Sequence, residues 1–588
     1  MRASKAKWLL VFGLLLSATS HAQNIDQIRD ADPLVITGAV GTQNTYHYSS
    51  GTRYASPLNN TIYANLNISI YGFTMPFSLY YTNNNLDFNY PQISFNLTPS
   101  YKSWTGHIGE SSIAMSNYVM NMSFYGIGLE YNDGKRWRGG IFYGRLRKAI
   151  NDDPTDPFAR SPQYSRMGWG FKAGYGSGKN YLDLYMLYAY DKENSLDERW
   201  RNRVSPQDNV VVGLKGCVTP FSWMSFTANA ATSVFSTDTR AEKVAIQTDF
   251  DKVFDVRYST LMRFAGDANM NLMFKGFNTS LSYRFIQPDY TTLGTYYMSN
   301  NYHSLGVTTS GTLFRKLSLS ATFNGQADNL TNEQMYTTRG FIYSANASMR
   351  LGNHLSLSAG YNGYLQSQGD GVCQINDTIE VRRVMNSVNF TPSYTYDTEQ
   401  LGHNVSLSAS YTENKDLNRF ATGESDVKTM AFGASYGIDI HAWEVNVGAS
   451  LSHQQSNGYH TRYTSDVGSI TLSRSFLEEK NLSVSLTGLM AYNEVRRQSK
   501  NLSMGGSFSV GYTLARVHVF SASGSFNKYG DVNITKTRSN LDMTDISLSL
   551  NYAYTFSLLT IKSKKHRQQE AEQKEREMRE KVEKALKE

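Results

Sequence analysis

The stretch Ile546-Ser547-Leu548-Ser549-Leu550-Asn551-Tyr552-Ala553-Tyr554-Thr555-Phe556 sets a large apolar side chain at every second position and a small or polar one between. A period of two puts successive side chains on opposite faces of a β-strand, so one face is greasy and the other wet. Length carries the next step. A strand in a soluble sandwich runs about five or six residues, whereas one crossing a bilayer at a tilt needs about nine to eleven. The pattern recurs along the chain. Ile62, Ala64, Leu66, Ile68 and Ile70 alternate with Tyr63, Asn65, Asn67 and Ser69, and past Gly72 the series Phe73, Met75, Phe77 and Leu79 completes a hairpin. Leu317 to Asn324, Leu355 to Asn362 and Val445 to Ser452 repeat it.

Composition agrees. Among 588 residues there are 40 Tyr, 29 Phe and 45 Gly, with only 18% charged residues, a balance that suits many strands rather than an α/β enzyme. Two cysteines exclude a disulfide scaffold, and beyond the first twenty residues no run approaches the roughly 18 to 20 apolar positions of a spanning helix. Trp137, Trp223 and Trp443 fall near tight turns, and Tyr188, Tyr190, Tyr394, Tyr396, Tyr411 and Tyr492 are read near the far strand ends, which predicts two aromatic girdles.

Connections alternate between short and long. Asn132-Asp133-Gly134, Gly176 to Asn180, Arg315-Lys316 and Asp439 to Trp443 are short; 147–163, 192–207, 236–265, 287–302, 327–338, 367–380, 413–427 and 493–499 are long. The fold class is all-β: a transmembrane antiparallel up-and-down β-barrel of about 26 strands (range 22 to 26), least regular over 82–120. By the barrel rule the short turns and both termini are periplasmic. Cys217 then lies near the inner rim and Cys373 outside, too far apart for a disulfide.

At the N-terminus Arg2, Lys5 and Lys7 precede the apolar run Trp8 to Leu16, and Ser20-His21-Ala22 supplies small residues at the cleavage subsites, so 1–22 reads as a signal peptide. Its removal takes the net charge from +7 to about +4, an excess that implies no polyanion partner and no nucleic acid. A short periplasmic segment, 23–34, precedes a barrel spanning 35–560, which leaves no room for a plug domain or periplasmic repeats. From Lys562 to Glu588 ten bases and seven acids share 27 positions without Gly or Pro. Pairs such as Glu570–Lys574 and Glu572–Arg576, at about 0.3 kcal/mol each, predict a charged periplasmic helix over 561–588.

From the signal peptide to the final aromatic strand the chain resembles Gram-negative bacterial outer-membrane β-barrels. The run Leu550 to Phe556 looks like the terminal signal by which such proteins are recognised, which implies that Tyr552, Tyr554 and Phe556 engage the barrel-assembly machinery. It departs from that pattern in not ending the chain. The resemblance implies a cell outer membrane location, with the lipid bilayer and lipopolysaccharide as surroundings.

The inward positions, among them Ser318, Ser358, Ser408, Ser483 and Ser549, are small and uncharged, so some twenty-six strands would enclose a wide polar lumen. Two occupants fit: the loop 236–265 folded inward, making a restricted channel or export pore for a polar solute or polymer, or a periplasmic or lumen-filling protein partner, making the barrel a non-conducting scaffold subunit of a secretion or envelope-assembly complex. Arg145, Arg147 and Lys148 are candidate pore or rim basic residues. Alternation places Arg145 and Arg147 on the face of Trp137, Ile141 and Tyr143, where they snorkel toward headgroup phosphates. The acidic sets Asp152-Asp153 with Asp156, and Asp191, Glu193, Asp197 and Glu198, match no defined Ca²⁺ motif, so no metal or cofactor is expected. No G-x-S-x-G elbow or H-E-x-x-H motif occurs, and His107, His303, His403, His453, His460 and His518 lie in no motif that names a Ser or Asp partner, so no enzyme is expected.

Overall fold

The computed structural model describes residues 34–51, 57–71, 73–83, 93–152, 160–244, 254–376, 378, 380–477, 479–531, 543–561 and 573. The signal peptide, most of the 23–34 segment and the charged tail, save Gln573, lie outside the described residues. One antiparallel sheet contains every strand, and it closes. The first strand, Leu34–Ser49, pairs with the last, Met543–Ile561, along its whole length, with Val40 opposite Tyr554 and Gly38 opposite Phe556. The irregular region resolves into two short pieces, Ile93–Leu97 and Ser100–Tyr101, both lying between Phe73–Thr82 and Trp104–Ser111. They act as one broken strand, so the barrel has 26 strands.

Closure satisfies the backbone. In hydrocarbon each unpaired N–H or C=O costs several kcal/mol, and a sheet with no edge leaves none to lipid. Side-chain exposure follows the sequence period. Along Asn180–Asp191, Leu182 is 59% exposed while Asp183, Tyr185, Leu187 and Ala189 are buried; along Arg462–Phe476, Ile470 is 64% exposed on the same face as Leu472. Directly paired residues share a face, and the outward rows run on from strand to strand: Val307 opposite Phe323, Phe323 opposite Tyr343.

Many strands run 14 to 16 residues, and the last 19, so the wall extends beyond the bilayer. This shortens several connections expected to be long: the strands end at Asp328, Asp370, Asp416 and Val495 and resume at Tyr336, Arg382, Val427 and Ser499. Connections on the outer rim are mostly long, though only three residues separate Gly458 from Arg462 and Val495 from Ser499; the rim that holds both barrel ends has only turns of two to five residues. There Asp133 accepts hydrogen bonds from the backbone N–H groups of Lys135, Arg136 and Trp137 (2.8, 2.8 and 3.0 Å), which holds its carboxyl below the ordinary carboxylate range.

Rings gather at this rim: Trp137 on Tyr175 (4.8 Å), Trp104 on Tyr131 (4.8 Å), Trp223 between Phe221 and Phe274 (5.3 and 5.5 Å) and His518 on Tyr554 (4.7 Å). Tyr394 and Tyr396 belong here too, since Arg382–Asp397 descends to the short turn before Leu401. The expectation that placed them at the far end is corrected: it missed the direction of that strand. Tyr188 and Tyr190, 5.6 Å apart, do lie at the far end. Cys217 and Cys373 are free thiols.

The face assignment makes a paired prediction. Arg in place of a lipid-facing residue at mid-depth costs about 2–4 kcal/mol. Ile470→Arg is expected to lower denaturant stability of the lipid-refolded barrel by that amount, while the lumen-facing neighbour Ser469→Arg leaves it within about 0.5 kcal/mol; equal effects would reverse the assignment.

Candidate functional site: the lined lumen

Between Trp104–Ser111 and Phe124–Asn132 the chain does not loop outward. Residues 112–123 turn into the barrel and lie on its inner wall, where Ile113, Tyr118, Val119, Met120 and Met122 are buried. The segment 287–301, between Phe277–Ile286 and Tyr302–Leu313, joins them. Met120 and Gly294 form a parallel bridge, the Tyr290 hydroxyl donates to the Tyr118 carbonyl (2.7 Å), and the Thr292 hydroxyl donates to that of Val119 (2.7 Å). The two segments make a second layer on one side of the wall.

The wall beneath is built to receive them. Phe142, Leu146, Tyr185, Leu187, Val211, Ala231 and Phe235 face inward and share one apolar cluster with the segments. Glycines open space for the larger side chains: a Cβ on Gly213 would stand 2.6 Å from Val119, one on Gly170 2.9 Å from Met115, and one on Gly128 3.2 Å from Ile113. Polar groups fix the register. Asn209, fully buried, donates to the Ser233 hydroxyl (2.8 Å) and the Val234 carbonyl (2.9 Å) and accepts from the Leu293 N–H (3.0 Å). Ser116 donates to Asn229 (2.8 Å), and Ser233 to the Thr291 carbonyl (2.5 Å).

Inward charges concentrate in this sector, most of them in pairs, while Lys215 and Asp267, inward by register, join no ion pair among the described residues. Glu130 lies 2.9 Å from His107 and 3.5 Å from Lys172; Arg138 meets Asp183 at 2.7 Å; Asp191, its side chain 1% exposed, receives Arg166 at 2.8 Å and Arg147 at 3.5 Å. The outer-loop pair Asp152–Arg160 (2.7 Å) depresses the Asp152 carboxyl to about 2, chiefly through the arginine's hydrogen bonds.

The candidate basic residues separate. Arg145 stays on the outward face, stacked 5.2 Å over Tyr125, as snorkelling requires. Arg147 does not. A bulge between Arg145 and Arg147 sets Arg147 opposite inward-facing Arg166 and turns it to Asp191. Lys148 is exposed beyond the strand end. The acidic sets are likewise divided: Asp191 and Asp152 are held by arginines, Asp153 and Asp156 lie outside the described residues, and no cluster of three potential metal ligands occurs among the described residues. Three histidines have carboxylate partners no motif announced: His107 with Glu130, His441 with Asp397 at the short-turn rim (3.3 Å) and, on the outward face, His453 with Asp466 (2.6 Å).

The segments described within the lumen are 112–123 and 287–301, and of the loop expected to fill it, 236–265, only the flanks are described. The strand after 236–265 already begins at Thr260, and the described flanks of the loop pack at the outer end, where Arg257 bonds Asp208 (3.0 Å). Asp208 pairs with Tyr190 in the outward row. Residues 245–253 lie outside the described residues.

The closed sheet and its greasy exterior define a transmembrane barrel of the outer-membrane type. Comparison with solved structures finds outer-membrane proteins. Acinetobacter baumannii OccAB3 is 11% identical, with 64% of this chain and 98% of that chain covered at a TM-score of 0.31. Pseudomonas aeruginosa OccK8 (OprE) is 10% identical over 64% and 97%, and the P. aeruginosa outer membrane protein opdK is 10% identical over 66% and 99%, both again at 0.31. At that level the fold rests on the pairing of the first and last strands, not on the overlays. No protein-family model and no curated relative matches the sequence.

Asn209→Leu keeps the branching of the side chain but strands the Leu293 N–H, at a cost of about 1–3 kcal/mol. Limited proteolysis of the folded variant is expected to cut within 287–301 faster than in the parent, with the barrel itself intact.

Proposed function

We propose that the protein is a loop-restricted outer-membrane channel for polar solutes, with the short-turn rim and both termini in the periplasm. The observation carrying this reading is the arrangement of the lumen: two inward segments coat one sector of the wall and leave the opposite sector, lined by Ser, Thr and Asn, facing the interior. A 16- to 18-stranded barrel already encloses an aqueous passage, and 26 strands enclose a wider one. Segments laid along the wall narrow such a passage without closing it. Lys428 and Lys500, paired with Glu413 and Glu494 at the outer rim, supply ammonium groups for lipopolysaccharide phosphates, and the aromatic row of the final strand is the surface offered to the assembly machinery.

The scaffold reading draws on the charged tail, which lies outside the described residues. Conductance separates the two. Purified protein in planar bilayers is expected to give discrete current steps. Gly294→Val, whose Cβ meets the Val119 carbonyl oxygen at 2.5 Å and Leu187 at 2.6 Å, is expected to lift the inner layer and enlarge the step. Silence from both proteins would favour the scaffold.

A further inference from the structure

Beyond the layered sector the inner wall changes character. From Tyr302–Leu313 to Met543–Ile561, the inward rows of the described strands carry charge only within three positions of a strand end, as at Asp328, Arg350, Arg383, Asp439 and Asp545. Between the rims the wall is neutral and rich in hydroxyls and amides. Inward charges at mid-depth belong to the other sector, where the ion pairs are largely covered by the layer and by one another and Lys215 and Asp267 stand outside them.

The register joins these neutral groups into a path. Asn278 is directly opposite Ser310, Ser310 opposite Ser320, Ser320 opposite Asn346, Asn346 opposite Gly360, Gly360 opposite Asn389, and Asn389 opposite Ser410. Asn278 is the second residue after its short turn, and Ser410 the tenth of Leu401–Asp416, so the row climbs from the short-turn rim toward the outer one. Strand tilt produces that climb: a rung perpendicular to tilted strands winds along the axis. At its middle the amides of Asn346 and Asn389 converge over Gly360, each within 2.8 Å of where a Cβ would stand. No side chain larger than hydrogen interrupts them.

An amide offers two donors and an acceptor, and a hydroxyl one donor and an acceptor. A succession of them, without fixed charge, exchanges hydrogen bonds with a chain of hydroxyls at little net cost and gives ions nothing to prefer. Resting on the channel reading above, we propose that this row is a track for an uncharged polyhydroxylated chain, a neutral glycan, passing along the neutral wall.

The test uses full-length protein in planar bilayers with a neutral linear glucan oligomer as probe and a polygalacturonate oligomer as charged comparator. Current should show little preference between K⁺ and Cl⁻, and the neutral oligomer should interrupt it at concentrations about tenfold below the charged one. The triple variant Asn278→Leu, Asn346→Leu, Asn389→Leu should shorten those interruptions at least tenfold, with folding verified by heat-modifiable gel mobility; if it misfolds, comparison of the two probes on the parent still decides. A strongly cation- or anion-selective current, or tighter block by the charged oligomer, would overturn the track while leaving the channel. Absence of any current would overturn the channel itself.

Discussion

Every part of this molecule depends on pairing Leu34–Ser49 with Met543–Ile561. Hydrocarbon offers no hydrogen-bond partner, so a spanning sheet must bond its last strand to its first. Once that condition is met, the outward face has one remaining duty, to be apolar, and the alternation discharges it strand after strand. Only at the rims does the rule relax, into rings on the short-turn side and into ion pairs such as Lys500–Glu494 on the other.

Closure says nothing about the inward face, and the two sectors use that freedom differently. Strands between Phe124 and Phe274 are apolar on both faces over part of their length, because the inner face packs against 112–123 and 287–301. Asn209 shows how polar groups survive there, with its amide bonded to Ser233, Val234 and Leu293. Strands after Tyr302 meet no such layer among the described residues, and their inward positions are mostly Ser, Thr, Asn, Gln and Gly, with a few larger apolar residues such as Ile342 and Leu489.

The barrel was legible because a period of two is a local signal, carried by most strands on their own. Strand direction was not: Tyr394 and Tyr396 belong to the short-turn girdle because a turn follows at 398–400, and no Gly or Pro in Asp397-Thr398-Glu399-Gln400-Leu401 marks it. Arg147 was misplaced for a subtler reason, since one bulged residue reverses alternation beyond it. Loop length alone does not mark the inward segments, since 112–123 has only twelve residues and 236–265 is far longer. A better signal lay in the wall itself. Leu184 to Tyr190 runs apolar without alternation, as a strand covered on both faces does, and Gly128, Gly170 and Gly213 mark where a second layer approaches.

The layer's composition explains why it restricts the lumen without changing its chemistry. Its apolar side chains, Ile113, Val119, Met120 and Leu293, are spent on the wall, and the residues left exposed include Ser112, Asn117, Asn121 and Tyr297. What the layer shows to the lumen therefore resembles the Ser/Thr/Asn wall opposite. The charged pairs Glu130–Lys172, Arg138–Asp183 and Arg166–Asp191 sit beneath or beside it, neutralised in place. A buried pair is weak evidence for stability, since desolvation offsets most of its attraction. Its effect on the passage is clearer. An opposite charge within 4 Å cancels most of the field each group would project, so these pairs give the passage little of their charge, and the field a solute meets at mid-depth is set by the inward groups outside them, Lys215 and Asp267 among them.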